Sequence, residues 1–302
     1  MLIATHNVNG IRAAHKRGYA HWLDNRHPDL IALQEVRCRV EQLPERPFGL
    51  YEGYYDAGTL AGRNGVAILT SLEVEAVRTW GGSVQHIAAG GMIASVDEDR
   101  CYDLVDGVEE FAHEGRYIEV DLADLPLTVA SVYIPKGDSP YALRPGTDSH
   151  KAQMSLERKM RFLDAFARHC DRAASAALDR GRHFLVMGDY NIAHQEVDLK
   201  NHKSNHKSSG FLPEERAWMS DFLASSPLED VVRLVHPDSP GPYSWWSWRG
   251  QAFTNDAGWR IDYHMATSDL AARARCAYSD REDAYDQRLS DHCPVCVDYE
   301  ME

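Results

Sequence analysis

Short apolar runs punctuate this chain, and most of them stop at a pair of polar residues. Phe184, Leu185, Val186 and Met187 read as a strand buried on both faces, after which Gly188 lets the chain turn and delivers Asp189 and Asn191 at the strand's end. Leu2 to Thr5 predicts a short edge-like strand running into H-N-V-N-G, with Asn7 and Asn9 at its carboxyl end. D-L-I-A-L-Q-E predicts another, ending in Gln34 and Glu35. R-Y-I-E-V-D and L-T-V-A-S-V-Y-I-P-K-G predict a hairpin that turns around Asp124 to Pro126 and ends with Tyr133 and Lys136. Helical spacing sets in twice between these runs. From Ile11 to about Asn25 it involves Ile11, Tyr19, Trp22 and Leu23, and from 148 to 180 it places Met154, Phe162, Leu163, Phe166 and Cys170 on one face. Pro213 followed by Glu214 and Glu215 marks a further helix start. Two strand regions close the chain, W-R-I-D-Y-H-M-A-T and R-L-S-D-H-C-P-V-C-V-D-Y.

Strands and helices alternate without βαβ regularity, which predicts a mixed-sheet α/β fold over a Rossmann or barrel one. No internal repeat or linker divides the chain, so residues 1–302 are expected to form one domain. G-x-G-x-x-G and G-x-x-x-x-G-K-[ST] are both absent, which leaves nucleotide-cofactor folds without support. With 44% apolar and 26% charged residues, the composition is that of a globular protein. The first polar residues come too early for a signal peptide and no apolar run is long enough to span a membrane, so no membrane association and a cytoplasmic location are expected. Six scattered cysteines argue for reduced thiols, and Cys293-Pro-Val-Cys296, which lacks a second ligand pair, reads as core.

Charge changes the picture through its distribution. The net charge of -14 counts against a polyanionic substrate, but residues 97–124 alone carry eleven acids against Arg100 and Arg116. K-N-H-K-S-N-H-K, residues 200–207, is by contrast a local basic run directly after the Gly-Asp-x-Asn turn. Any one polar strand end has an ordinary explanation as a turn or a solvated residue. Together Asn7, Asn9, Glu35, Tyr133, Asp189, Asn191, Asp262, Asp291 and His292 make an oxygen-rich set, suited to hard Mg2+ or Mn2+ and not to zinc. Such a metal neutralises phosphodiester charge, and a His beside a carboxylate supplies a donor to a phosphoryl oxygen.

Nine motifs, in order, resemble those of the exonuclease III family of abasic-site endonucleases, within the endonuclease/exonuclease/phosphatase superfamily. They are N-V-N-G-I-R, L-Q-E, G-V-A-I-L, V-Y-I-P-K-G, M-G-D-Y-N-I, G-F-L-P-E-E-R-A-W-M, Y-S-W-W, W-R-I-D-Y and S-D-H-C-P-V. The strand-end motifs indicate the superfamily, and the F-L-P-E-E-R and W-R-I-D blocks the DNA-repair branch. The resemblance implies a four-layer sandwich of two mixed β-sheets flanked by helices. It implies Mg2+ (or Mn2+) at Glu35, with Asn9 and Asp291 nearby and Asp189 and Asn191 as further candidate ligands. Asp189 would activate water or protonate the leaving oxygen, Asn191 would orient it, Asn7 and Tyr133 would contact the scissile phosphate, and His292, held by Asp262, would stabilise the phosphorane charge. Trp245, Trp259 and Ile261 would line a pocket for an extrahelical abasic sugar, and Lys136, Lys200 and Lys203, with Lys207, would meet the DNA backbone. The implied substrate is double-stranded DNA with abasic sites or 3' ends, acted on by a monomer. The region from about 83 to 114 departs from the smaller bacterial members and is expected to be an acidic elaboration of the domain. The eleven carboxylates of residues 97–124 would oppose phosphates, so that segment is expected to lie away from the DNA. Two other readings compete: a superfamily phosphodiesterase or phosphatase for small or lipid phosphates, and a non-catalytic nucleic-acid-binding regulator. The tryptophan pair and F-L-P-E-E-R oppose the first, and the full complement of Glu35, Asp189, Asp262, Asp291 and His292 opposes the second.

Overall fold

In the computed structural model, which describes residues 1–60, 62–81, 83–89, 91–96, 104–141 and 148–301, the apolar runs become the strands of two mixed sheets. In chain order they are β1 (Leu2–Asn7), β2 (Leu30–Gln34), β3 (Glu52–Asp56), β4 (Val66–Thr70), β5 (Val74–Thr79), β6 (Val84–Ile87) and β7 (Ile93–Ser95). There follow β8 (Tyr117–Leu122), β9 (Leu127–Tyr133), β10 (His183–Asp189), β11 (Leu228–Asp230), β12 (Asp262–Thr267), β13 (Ala274–Ser279) and β14 (Val295–Tyr299). The described strands of the first sheet run in the order β13-β14-β1-β2-β4-β3-β6-β7, and those of the second β11-β12-β10-β9-β8-β5.

The layering follows from which way alternate residues point. In β10, Leu185 and Met187 face the other sheet, where they join Ile3, Leu30, Ala32, Val66 and Ile68 in one cluster. Phe184 and Val186 face outward and pack with Phe162 and Phe166 of α3 (Ser149–Asp179) and Met219 and Phe222 of α4 (Pro213–Ser225). In β2 the same alternation sends Ile31 and Leu33 to the outer face, against Ile11 of α1 (Ile11–Lys16) and Tyr19 and Leu23 of α2 (Tyr19–Arg26). Both faces of the central strands are therefore covered, which is why their sequences run apolar without a break. Each such Leu, Ile or Phe contributes about 1.5–3 kcal/mol by leaving water. The result is the expected sandwich of helices, sheet, sheet and helices.

Several local expectations give way. Leu2 to Thr5 is no edge: β1 lies inside its sheet, antiparallel to β14 and parallel to β2, and its partners come from opposite ends of the chain. The first helix is two, broken at Gly18 with φ 98°. Met154 points to solvent. Two parallel pairs, β1/β2 and β9/β10, are joined through helices, so βαβ units do occur within the mixed sheets.

The acidic stretch is not an appendage. Asp97, Glu98, Asp99 and Asp103 lie outside the described residues, as do Arg100 and Cys101. Of the rest, Glu119 and Asp121 are buried in β8 and paired with Arg78, and Asp121 also meets Arg180 and Arg182. Glu110 and Glu114 pair with Arg158 and Arg161 on α3. Val105, Val108, Phe111 and Ala112 belong to the core beneath that helix. The five described cysteines are free, and Cys293 and Cys296 are buried.

Candidate active site

β10 stands at the centre of the second sheet, and its last residue, Asp189, is in register with Tyr133 of β9 on one side and Asp262 of β12 on the other. Gly188 lies within this strand, not in a turn. Its φ is 149°, and a Cβ there would sit 1.9 Å from the Val132 carbonyl oxygen, so only glycine allows β9 and β10 to pair beside Asp189. In the facing sheet Asn7 and Gln34 are in register at the ends of β1 and β2. Just beyond these strand ends, Asn9 (φ 43°), Glu35 (φ 51°) and Asn191 (φ 52°) occupy the left-handed region. Non-glycine residues are held there only where the surroundings enforce it, and such positions gather at functional sites.

Between the two sheets' strand ends opens a cleft of about 950 Å³ lined by, among others, Asn9, Glu35, Tyr133, Asp189, Asn191, Asp291 and His292. Asp189 is the hub: Asn7 Nδ2 donates to its Oδ2 at 2.9 Å, and Asn191 donates its backbone N–H to Oδ1 at 2.8 Å and its amide to Oδ2 at 3.1 Å. His292 Nε2 lies 3.8 Å from Asp189 Oδ2, while its Nδ1 is 2.8 Å from Asp262 Oδ2. Ser244 Oγ donates to that same Asp262 oxygen at 2.6 Å, which leaves Asp262 Oδ1 buried without a hydrogen-bond partner. On the other side of the cleft Tyr133 donates its hydroxyl to Glu35, and Arg37 pairs with Glu35 and donates to Asn9. Asn9 Nδ2 reaches Asp291 Oδ1 at 2.7 Å, and Trp245 Nε1 reaches Oδ2 at 3.1 Å.

These contacts fix protonation. Burial, opposed by the His292 charge but reinforced by the Asp262 and Glu35 carboxylates, raises Asp189 to about 7, which suits a group that exchanges protons near neutrality. Burial works against charging His292, yet the Asp262 and Asp189 carboxylates outweigh it and lift the imidazole to about 10. Burial and the nearby Glu35 and Asp189 carboxylates push the Tyr133 hydroxyl well above its usual value, so it keeps its proton. Burial would raise Asp291 as well, but the His292 charge and the hydrogen bonds from Trp245 and Asn9 hold it below the ordinary carboxylate range.

Two groups of side chains bear on a metal. Among the described residues, Asp189, Asp262 and His292 bring ligand atoms within 4.8 Å of one another. There, however, the imidazole already sits between two carboxylates as an ion pair. Glu35, Asp291 and Asn9 form a second set, linked through Arg37 and the Asn9 amide and open to the cleft. Carboxylate and amide oxygens facing a water-accessible cleft fit a hard divalent cation.

The aromatic and basic residues fall into place unevenly. Trp245, Trp259 and Ile261 all line the cleft, the two indoles edge to face with ring centroids 6.0 Å apart, and they pack on Leu199 and Phe211. Trp259 belongs to an isolated bridge to Trp245 and not to β12. Lys136 and Lys207 line the cleft; Lys200 and Lys203 are exposed on the same loop as Lys207 but are not among the lining residues. Asn7 and Asp262 also stand behind the wall, supporting Asp189 and His292. Sequence reasoning misses three contributors: Arg37, Ser244 and the buried Lys159. Arg37 follows Glu35 by two residues, and Lys159 is a lone charge on the apolar stripe of α3, so both leave a trace in the sequence. Ser244 leaves none.

Comparison with known proteins gives a consistent result. Residues 4–292 match the model of the Endonuclease/Exonuclease/phosphatase family. The chain is similar to an exodeoxyribonuclease of Bacillus subtilis, 30% identical over 296 residues that cover 98% of each chain. It is also similar to the DNA repair nuclease APEX1 of Danio rerio, 31% identical over 98% of this chain and 81% of that one. In fold it is similar to an AP endonuclease from Archaeoglobus fulgidus, with a TM-score of 0.75 at 24% identity and full coverage of both chains.

Proposed function

This chain belongs to the endonuclease/exonuclease/phosphatase family, and on that premise we propose that it is a Mg2+-dependent DNA repair nuclease that hydrolyses the phosphodiester 5' to abasic sites in duplex DNA and removes nucleotides from 3' ends. The observation that carries this reading is a single cleft that joins an oxygen-rich donor set, a proton-exchanging carboxylate and an aromatic pocket. A small polar phosphate ester has no use for Trp245, Trp259 and Ile261, whereas a base-less deoxyribose fits between them with no stacking to lose.

Glu35, Asp291 and Asn9 would hold the cation, which supplies positive charge against the phosphodiester. Asp189, lifted to about 7, takes the proton of an attacking water oriented beside the Asn191 amide; the water oxygen bonds to phosphorus as the bond from phosphorus to the 3' oxygen breaks, and Asp189 returns the proton to that departing oxygen. The Tyr133 hydroxyl, kept protonated, would turn its one proton from Glu35 to a phosphoryl oxygen. His292 keeps its charge through Asp262 and turns Nε2 toward the same phosphate. Lys136 and Lys207 meet the DNA backbone at the rim. The test is incubation with duplex oligonucleotides, intact or carrying one abasic-site analogue, in Mg2+ or in EDTA. Cleavage beside the analogue in Mg2+ alone supports the reading; uncut DNA in every lane sinks it.

A further inference from the structure

Lys159 sits in the first half of α3 on its apolar stripe, between Leu156 and Phe162, with no exposed side-chain surface. Its ammonium has three protons and places each: on Glu215 Oε1 at 2.6 Å, on the Asn191 carbonyl at 2.9 Å and on the Lys136 carbonyl at 3.2 Å. Glu215, equally inaccessible, uses its other oxygen to accept from Gly210 N at 2.7 Å and Leu212 N at 2.9 Å. Ser209 Oγ closes the circuit by donating to the Lys136 carbonyl at 2.9 Å. One ion pair thus ties together the segments after β9, after β10 and before α4, and Lys136, Asn191, Ser209 and Gly210 from these segments all line the cleft.

The backbone is cut to fit this pair. A Cβ at Gly137 (φ 70°) would lie 2.8 Å from Lys159 Cδ, and one at Gly210 (φ 88°) would lie 3.0 Å from the very Asn191 carbonyl that Lys159 holds. A buried ion pair is weak evidence for stability, because apolar residues of similar volume often serve as well. Its hydrogen bonds do, however, define a geometry that apolar packing leaves loose. Asn191 is where that geometry matters, since its left-handed backbone aims its amide at Asp189.

We infer that Lys159 and Glu215 are positioning residues for the reaction, acting through the Asn191 carbonyl to hold the amide of Asn191 against Asp189; this rests on the nuclease reading of the cleft. Two variants separate the role from bulk stability. Lys159→Met keeps length and removes all three donors, and Glu215→Gln keeps an acceptor for Gly210 and Leu212 while breaking the bond to Lys159. Cleavage of abasic-analogue duplex, measured below the melting temperature of each variant, is expected to lose about 10- to 100-fold in kcat. In an Asn191→Ala background Lys159→Met should then cost little more, because both act through one group. Hydrogen–deuterium exchange should rise together in residues 134–139, 189–193 and 208–212, with the first sheet unchanged. Unaltered kcat in folded variants, a full independent loss in the Asn191→Ala background, or exchange that is unchanged or raised everywhere would overturn the inference. If the wild-type protein cuts neither duplex, the nuclease reading fails, and the exchange pattern still decides whether the pair holds the three segments.

Discussion

Glu35 and Asp189 are both carboxylates at strand ends, but their surroundings give them different work. Glu35 faces the cleft beside Arg37 and Tyr133, while Asp189 is buried under Asn7, Asn191 and His292. Glu35→Ala should therefore regain part of its activity as Mg2+ is raised, whereas Asp189→Asn should lose about 10²- to 10⁴-fold that no Mg2+ concentration restores. A Mg2+ titration that rescued Asp189→Asn better than Glu35→Ala would reverse the two roles. Trp259 poses a similar choice between pocket and core, since it is half-buried, lines the cleft and packs on Leu199 and Phe211. As a pocket wall, Trp259→Ala should fold and lose its preference for abasic over intact duplex. As a core residue it would cost about 3–5 kcal/mol and lower every activity together, so melting temperature read beside both cleavage rates separates the two. Residue identities are the legible part of the site, because carboxylates, amides and a histidine at the ends of apolar runs have a chemistry of their own. What the chain does not disclose is depth and most of the backbone conformation: Asn9-Gly10 admits a left-handed Asn9, but nothing in L-Q-E announces a left-handed Glu35, or that Asn7 supports Asp189 from behind.

Strands are legible where their period is clear and illegible where their neighbours are distant. The four apolar residues of β10 are enough to place it, buried on both faces, yet β1 is just as apolar and reads as an edge, because its partners β2 and β14 lie far apart in the chain. Gly188 reads as part of a turn for a similar reason. Its glycine requirement comes from the Val132 carbonyl on β9, which sequence separation hides. Gly188→Ala should cost about 3 kcal/mol or more by overpacking at a positive φ, measured by urea unfolding. A change of less than a tenth of that would mean the strands pair differently. β12 carries a second test. His264 is fully buried, with Nε2 3.1 Å from the Val295 carbonyl and the Tyr299 hydroxyl 3.4 Å from Nδ1, and burial lowers it from 6.5 to about 4. In the unfolded chain it takes a proton at pH 6.5, in the folded one only near 4, so its contribution is complete above 6.5 and is lost as pH falls toward 4. Between pH 7 and 4.5 the wild-type protein should thus lose about 2 to 3 kcal/mol more stability than His264→Gln, which shares every other buried histidine. Parallel pH profiles would show that His264 does not titrate with folding.

At the scale of the whole molecule, a net charge of -14 has to be reconciled with a polyanionic substrate. The sequence locates the excess in residues 97–124 but does not say how it is disposed, since pairing across distant segments leaves no periodic mark. Much of it is neutralised: Glu119 and Asp121 by Arg78, Arg180 and Arg182, and Glu110 and Glu114 by α3. The segment also cannot be cut away, because Val105, Val108 and Phe111 belong to the core. Asp106, Glu109 and Asp124 can instead be neutralised singly, and no described residue between 104 and 124 lines the cleft. Lys136 and Lys207 do line it, on the two segments tied by Ser139 and Ser209. DNA binding releases counterions in proportion to the phosphates a protein neutralises, and the logarithmic salt slope falls by about 0.9 for each phosphate left without its cation. Lys136→Ala and Lys207→Ala should each flatten the slope by about that amount. The triple substitution Asp106→Asn, Glu109→Gln and Asp124→Asn should leave it unchanged, although binding at any one salt concentration will tighten slightly as the overall field becomes less negative. The slope counts displaced ions and the intercept reports the general field, so titrations at several salt concentrations read both from one experiment. A shift in slope in the triple variant as large as that in Lys136→Ala would bring the acidic segment onto the DNA path.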